Sequence, residues 1–180
     1  MVVSEKTWEI EELSVDDLFH CYKVAQLSLE LARKTNISDE TLLDNIYTAA
    51  IFHDIGKSVI SKNILNKPGK LNRFEQRIIR DHPEMGVHIC SKLQLNKDIL
   101  SYIKHHHENY DGSGYPQGLK GKEIPLGARI IKICDVFDAL CSDRPYRKGF
   151  EGNKVFEIME SEKETFDPGL YYIFKKMICG

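Results

Sequence analysis

A histidine, an aspartate and a lysine stand together in the segment His53-Asp54-Ile55-Gly56-Lys57, directly after the apolar run 47–52. The apolar run predicts a buried helix. Because an unpaired buried charge is costly, His53 and Asp54 need a partner that neutralises them. Imidazole and carboxylate together suit a first-row divalent metal ion, whereas a solitary His-Asp pair more often hydrogen-bonds at a helix end. A metal site therefore requires further ligands elsewhere in the chain.

Other imidazoles and carboxylates occur at helix ends or inside apolar helices. Asp135 interrupts a helix that is apolar almost all round, so its charge must be paired, protonated or metal-bound. His106 and His107 would differ by about 100° in direction on a helix, so two adjacent metal ions would accommodate both better than one. The remaining candidates are Asp16 and His20, four residues apart on one helical face, together with His82 and Glu108.

Each of these residues has a structural alternative when taken singly, such as a first-turn acid, a core histidine or a helix cap. Their combination favours a metal cluster with ligands from separate helices. The set is too rich in oxygen and nitrogen for a structural zinc site, which favours cysteine. It fits a two-metal hydrolytic site that uses iron, manganese or similar ions. His88 is predicted to be structural and His105 to lie at an exposed helix end.

The composition of the whole chain narrows the class of protein. A length of 180 residues, with 42% apolar and 29% charged residues, is typical of one globular domain. The net charge of −2 argues against a partner that is a nucleic-acid polymer, but allows a small phosphorylated ligand met by local cations. No run approaches the roughly 18 apolar residues of a membrane span. Five cysteines without a C-x-x-C pair indicate reduced thiols and a cytoplasmic location.

Helical periodicity runs through most of the chain, and strand alternation is nearly absent, which predicts an all-α fold. Residues 1–13 are expected to be a lead-in, and residues 14–180 a single domain. Helices are predicted over 14–34, 38–54, 72–82, 85–93, 96–107 and 128–140, followed by two amphipathic helices. The glycine- and proline-rich stretch 108–125 lacks helical period, and a loop of that length inside a compact domain is often functional.

Two motifs in the order in which they occur identify a family resemblance. His53-Asp54-x-Gly56-Lys57, followed by His106-His107-Glu108-x-x-Asp111-Gly112-x-Gly114-Tyr115-Pro116, closely resembles the HD-GYP family, a branch of the HD-domain metal-dependent phosphohydrolases. Further matching segments are His20-x-x-x-Val24-Ala25, Lys67-Pro68-Gly69-x-Leu71, His82-Pro83-x-x-Gly86, Ala128-Arg129-Ile130, Asp138-Ala139-Leu140 and Arg144-Pro145-Tyr146-Arg147. The match covers about residues 16 to 170, and its loop motif is highly specific.

The resemblance implies a bundle of about seven or more helices with two or three divalent metal ions, iron or manganese, and phosphodiesterase activity on cyclic di-GMP. The metal ligands implied by position are His53, Asp54, His82, His106, His107 and Asp135. Asp54 would bridge two ions. His20 matches a histidine that binds a third ion in some members of the family. Those members carry a glutamate four residues earlier, where this chain has Asp16. Cys141 replaces a common threonine, a change expected to be tolerated.

The resemblance also implies roles in substrate binding and catalysis. Two metal ions would lower the pKa of a shared water for attack on phosphorus. Lys57 would offset charge on the phosphate oxygens. Arg144 and Arg147 resemble the family's phosphate clamp, since the planar guanidinium suits phosphate. Tyr115 is expected to stack on the ligand or to hydrogen-bond with it, whereas Gly112 and Gly114 serve loop geometry.

Several alternatives stay open at the level of sequence. The chain could act on another cyclic dinucleotide, or it could be a catalytically quiet module that binds one. The product of cyclic di-GMP hydrolysis could be the linear dinucleotide pGpG, GMP, or both. A homodimer and an upstream sensor or receiver domain are the expected protein partners, and no membrane partner is expected.

Overall fold

In a computed structural model, the protein is described over residues 14–143 and 148–180, without the side chains of residues 15 and 16. The described residues form helices and no strand, which confirms the predicted all-α class. The α-helices are α1 (Val15–Lys34), α2 (Glu40–Phe52), α3 (Lys62–Leu65), α4 (Arg73–Arg80), α5 (His82–Lys92), α6 (Lys97–His105), α7 (Leu126–Cys141), α8 (Asn153–Ser161) and α9 (Pro168–Cys179). A 3₁₀ helix, Ile55–Val59, follows α2.

Helix α7 lies at the centre of the bundle, as its nearly continuous apolar sequence predicts. Ile130, Ile131 and Ile133 are completely buried. Helices α1, α2 and α6 all pack against α7, and α8 and α9 cover its remaining side. No helix of the described residues is long and apolar enough to cross a membrane. The core therefore holds α1, α2 and α6 around α7. Apart from His82, which lies on α5, the candidate ligands lie on or just beyond these elements.

Capping residues define where the helices begin. The Ser14 hydroxyl accepts a hydrogen bond from the Asp17 N–H, and the Asp17 carboxylate accepts one from the backbone N–H of Ser14. Asn72 and Glu75 form the same reciprocal pair at the start of α4. Both capping boxes satisfy N–H groups that a helix start leaves without partners. These two helix starts agree with the sequence prediction.

Three helices end earlier than predicted, and each predicted end carries candidate ligands. Helix α4 ends at Arg80, and His82 begins α5 instead. Helix α2 ends at Phe52, so His53 is its C-cap and Asp54 lies beyond it. Helix α6 ends at His105, which leaves His106 as C-cap and His107 in the following turn. The predicted boundaries at residues 54, 82 and 107 are therefore wrong by about two residues, which is usual for helix ends. The directions of the His106 and His107 side chains are therefore set by the end of α6, because neither residue lies within a regular helix.

Candidate metal centre

Six side chains from separate elements converge on one buried point. Donor atoms of Asp54, His82, His106 and His107 lie within 4.8 Å of one another, and so do donor atoms of Asp54, His20 and His53. Neither group contains a cysteine. All of these side chains are buried except that of His107, which is half-buried. Asp54 is the residue that both groups share.

The two carboxylate oxygens of Asp54 face different histidines. Its Oδ1 lies 3.2 Å from His82 Nε2, whereas its Oδ2 lies 3.4 Å from His53 Nε2 and 4.0 Å from His20 Nε2. One carboxylate therefore contacts both groups through separate oxygens. This geometry fits a carboxylate that bridges two ions.

Asp135 lies on the side of the centre formed by His20 and His53. Its Oδ1 is 3.2 Å from His20 Nε2 and 3.8 Å from His53 Nε2. Helix α7 carries this carboxylate into the centre. The structure thus brings Asp135 together with the other predicted ligands.

Three of the histidines are oriented by backbone carbonyls. In His53, His82 and His106, the ring Nδ1 donates to the carbonyl oxygen three residues earlier. The acceptors are Ala50, Ile79 and Ile103, each at 2.7 Å. The last carbonyls of a helix have no partner within the helix, so they are free to accept these bonds. Each bond holds the proton on Nδ1 and leaves the Nε2 lone pair directed at the centre.

His20 is oriented by a carboxylate instead of a carbonyl. Its Nδ1 lies 2.6 Å from Oδ2 of Asp138, which is buried on α7. Ser142 Oγ also donates to that oxygen, at 3.1 Å, and so fixes the position of the carboxylate. Sequence reasoning placed Asp138 in the family motif without a role. The available signal was a second acid three residues after Asp135 on an apolar helix.

The Asp138→Asn substitution is expected to weaken metal binding at the His20 side by about 10- to 100-fold, because the carboxylate that orients His20 is lost. Metal titration of the purified protein would measure the change. Asp44→Asn, which changes an exposed aspartate on α2, serves as the matched control. Equal affinities in the two variants would contradict a role for Asp138 in orienting His20.

The buried polar atoms of the centre are suited to a cation. Nε2 of His20, Nε2 of His53 and Oδ1 of Asp54 are buried without a hydrogen bond. His20 Nε2 lies near Asp135 but lacks the angle of a hydrogen bond. A buried acceptor without a partner is costly, and divalent ions bind imidazole nitrogen and carboxylate oxygen. The residues therefore fit a metal centre of nitrogen and oxygen ligands.

In the metal-free centre, electrostatic interactions favour protonation of His20 and His53, which lie on the same side. Burial opposes the charged form of His20, but the nearby carboxylates of Asp135 and Asp138 outweigh it and raise the pKa of His20 to about 9. Burial likewise opposes charge on His53, and the charge of Asp54 raises the pKa of His53 to about 9. At Asp54, burial raises the pKa of the carboxyl, but the charges of Lys57 and His53 outweigh this effect and hold that pKa well below its usual value.

Two histidines on the other side, His106 and His107, stay neutral. Burial, together with the nearby imidazoles, holds the pKa of His106 well below its usual value. Burial and the neighbouring His106 do the same for the pKa of His107. Neutral imidazole is the form that binds metal. His106 and His107 are therefore ready for an ion at neutral pH, whereas His20 and His53 must first lose protons.

Metal loading at pH 7 is expected to release protons, because His20 and His53 with pKa values of about 9 are protonated in the metal-free protein. The apparent affinity at their side of the centre should rise as the pH increases from 7 to 9, since fewer protons then have to leave. Calorimetric titration in two buffers of different ionisation enthalpy would count the protons. A heat of binding that does not depend on the buffer would contradict this expectation.

The loop 108–125 is closed by Glu108, which sequence reasoning placed among the candidate ligands. The Glu108 carboxylate is buried and accepts hydrogen bonds from the backbone N–H groups of Gln117 at 2.7 Å and Leu119 at 3.1 Å. Glu108 belongs to neither group of converging donors. Its function in this structure is to fold the loop back on itself. His105 ends α6, as predicted, but it is half-buried and contacts Gln117 and Ser101; it lies outside both groups.

Two further predicted residues lie beside the centre. Lys57 Nζ contacts Asp54 Oδ2 at 2.6 Å and keeps 26% of its side chain exposed. Tyr115 stacks on His107, with ring centroids 4.8 Å apart and an angle of 24° between the planes. Arg144 and Arg147 lie outside the described residues, as does the side chain of Asp16.

A helical bundle with a buried centre of histidines and aspartates defines a metal-binding domain. A family model described as "HD domain" matches residues 1–170. The chain therefore belongs to the HD domain family, and its resemblance to the HD-GYP branch is confirmed.

Individual relatives agree with this assignment. The chain is 38% identical over 160 residues to a cyclic di-GMP phosphodiesterase of Pseudomonas aeruginosa, a match that covers 88% of this chain and 38% of the relative. It is 41% identical over 162 residues to a 3′3′-cGAMP-specific phosphodiesterase of Vibrio cholerae, covering 88% of this chain and 35% of the relative. The chain thus spans little more than a third of the length of these curated relatives.

Solved structures share the fold. An HDG"Y"P protein from Bdellovibrio bacteriovorus superposes with a TM-score of 0.75 at 21% sequence identity, and the match covers 91% of this chain and 52% of that one. At this identity the likeness concerns the fold alone.

Proposed function

We propose that this chain is a metal-dependent phosphodiesterase domain that hydrolyses cyclic di-GMP. The observation that carries the proposal is the position of Asp54, whose two oxygens face two separate groups of histidines. An isolated buried ion pair would not require five imidazoles around two aspartates. A centre for two adjacent ions does require ligands on both sides of a shared carboxylate.

The proposed cofactors are two divalent ions, iron or manganese, because the ligands are imidazole and carboxylate without cysteine. His82, His106, His107 and Asp54 would hold one ion, and His53, Asp54 and Asp135 the other. His20 is a further ligand on the Asp135 side, where a third ion could bind together with Asp16. When bound, such ions supply Lewis acidity and a water of lowered pKa.

The chain's own residues are proposed to bind and orient the phosphate. Lys57 is partly exposed beside Asp54, so its ammonium group can approach a phosphate oxygen while it contacts that carboxylate. The buried histidines and aspartates around it exclude water from the reacting side. A low local dielectric strengthens the interaction between Lys57 and an anionic substrate. Arg144 and Arg147 remain predicted phosphate contacts.

The substrate is proposed to be cyclic di-GMP because several relatives carry that activity in their names. Hydrolysis of 3′3′-cGAMP is the second candidate, favoured by the 41% identity to a phosphodiesterase named for that substrate. A catalytically quiet binding module is disfavoured, since such a module would be expected to have lost ligands. The described chain retains every ligand of the predicted two-metal set.

The test is hydrolysis by protein that is purified anaerobically and loaded with iron or manganese. Cyclic di-GMP, 3′3′-cGAMP and cyclic di-AMP would be supplied separately, and pGpG and GMP would be resolved by chromatography. We expect metal-dependent turnover that is fastest with cyclic di-GMP. Binding of the dinucleotides without any product would contradict the enzymatic proposal, and faster turnover of 3′3′-cGAMP would select the second candidate.

The domain boundaries are also proposed, with residues 1–13 as a lead-in and 14–180 as the catalytic domain. Removal of residues 1–13 should then leave metal-dependent turnover and the unfolding transition unchanged. A homodimer or an upstream regulatory domain remains the predicted protein partner. Sedimentation analysis of the purified chain would test the first of these.

A further inference from the structure

Three planar groups are layered at the edge of the metal centre. The Tyr115 ring stacks on His107, one of the converging histidines. The guanidinium carbon of Arg80 lies over the same tyrosine ring, 5.2 Å from its centroid. Arg80 is the last residue of α4 and is exposed, whereas Tyr115 is half-buried. The order from the centre outwards is therefore His107, Tyr115, Arg80.

This layering changes the role expected of Tyr115. His107 stacks on the Tyr115 ring, and the guanidinium carbon of Arg80 also lies over this ring. The sequence position of Tyr115 suggests a ring that stacks on the ligand, but in this structure the ring already makes both of these contacts. Its ring instead supports Arg80 through a cation–π contact, a common arrangement for guanidinium groups. The group presented to solvent at this edge is the guanidinium.

Arg80 keeps its hydrogen-bonding capacity for a ligand. It forms no ion pair or side-chain hydrogen bond among the residues described in the structure, and its guanidinium carbon lies over the Tyr115 ring. The N–H groups at the guanidinium edge are left to donate in a fork that matches two oxygens of a phosphate. Two other cations near the centre face acids, since Lys57 contacts Asp54 and Lys23 lies 3.8 Å from Asp138.

Arg80 is connected to the centre both along the chain and through a ring contact. It is two residues before His82, and it contacts His107 through the tyrosine ring. A cyclic dinucleotide contains two phosphodiesters, and the reaction takes place at one of them. The second carries a full negative charge that the reacting side does not neutralise. A fixed, exposed guanidinium beside the centre is suited to that second phosphate.

We propose that Arg80 binds the non-reacting phosphate of the cyclic dinucleotide, with Tyr115 as the platform that positions it. The proposal rests on the proposed function, because it assumes a substrate with two phosphates. It does not depend on which bases the dinucleotide carries. Arg80 is thereby a residue that selects cyclic dinucleotides over substrates with one phosphodiester.

The experiment compares two substrates of the metal-loaded enzyme, cyclic di-GMP and bis(p-nitrophenyl) phosphate, which has a single phosphodiester. For Arg80→Gln, we expect the ratio of kcat/KM between cyclic di-GMP and bis(p-nitrophenyl) phosphate to fall roughly tenfold, which is the size of one lost charged hydrogen bond. The loss should be in KM and not in kcat. Arg80→Lys should retain part of the ratio, since it keeps the charge without the planar fork.

The matched control is Arg77→Gln, which changes an exposed arginine one turn earlier on α4. Its substrate ratio should equal that of the wild type. Tyr115→Leu removes the platform and should lower the ratio as Arg80→Gln does, and the double variant should be little worse than either alone.

Specific outcomes would overturn the proposal. An unchanged ratio in Arg80→Gln would do so, and so would an equal loss on both substrates, which would place Arg80 in support of the metal ligands. If the wild type hydrolyses 3′3′-cGAMP or cyclic di-AMP but not cyclic di-GMP, the proposed substrate is wrong, and the ratio is then measured with the accepted dinucleotide. A wild type that neither hydrolyses nor binds any of the three dinucleotides would overturn both proposals.

Discussion

Asp54→Asn is expected to lower phosphodiesterase turnover by about 10³-fold or more, because the ions at such a centre contribute several kcal/mol to transition-state stabilisation. Asp54 is the carboxylate whose two oxygens face both groups of histidines. The amide keeps the shape of the side chain but offers one neutral oxygen in place of two charged ones. The metal content per chain should fall together with turnover, as measured by elemental analysis of the same preparation.

The control for this variant is Asp44→Asn, an identical chemical change at an exposed position of α2, the helix that precedes the motif. Asp44→Asn should retain wild-type turnover and metal content. Circular dichroism would establish that both variants are folded. If Asp54→Asn turned over substrate as fast as Asp44→Asn, Asp54 could not be the shared ligand, and the proposed mechanism would be wrong.

The helical bundle and most of the metal centre could be predicted because the apolar periodicity, the capping residues and the buried polar residues all indicate the same structure. Apolar periodicity and the capping residues Ser14 and Asn72 define helices that the structure contains. Asp135 is conspicuous because it interrupts an apolar helix, and a buried charge must have a partner. The structure brings this acid within 3.8 Å of His53, 82 residues earlier in the chain. Composition alone could not supply that distance.

Contacts between distant segments could not be predicted from single residues. The hydrogen bond from His20 to Asp138 joins α1 to α7, and nothing local to either residue indicates it. Glu108 follows two histidines and therefore suggested a ligand, but the return of the loop directs it to two backbone N–H groups. Tyr115 was expected to meet the substrate, and its contact with Arg80 depends on the position of α4. Each of these roles is set by packing, which a one-dimensional pattern does not contain.

Gly56 is required by packing and not by its backbone conformation. A glycine that follows a helix commonly ends it in left-handed backbone. The structure places Gly56 within the 3₁₀ helix Ile55–Val59, without a positive φ. A Cβ at this position would instead overlap the backbone carbonyl oxygen of His82 and lie 2.6 Å from the N atom of Gly86. The glycine is required because α5 packs directly on the segment that follows Asp54.

Gly56→Ala is therefore expected to lower the free energy of unfolding by about 1 to 3 kcal/mol, the usual cost of overpacking a rigid site. The clash involves backbone on both sides, so side-chain rotation cannot relieve it. Separation of the 3₁₀ helix from α5 would also move His82 away from Asp54 Oδ1, now 3.2 Å from its Nε2. Metal affinity on the side of His82 should fall together with stability. Denaturant titration and metal titration of the same variant would measure the two effects.

Gly169→Ala is the matched control, because an added Cβ at Gly169 in α9 would meet only a carboxylate oxygen of Asp167, at 3.4 Å. Alanine also has the higher helix propensity, so this variant should be as stable as the wild type or slightly more stable. If Gly56→Ala lost stability but kept full metal affinity, α5 would have moved without carrying His82 away from Asp54. If it lost neither, the close approach of the 3₁₀ helix to α5 could not be what holds the two ligands together.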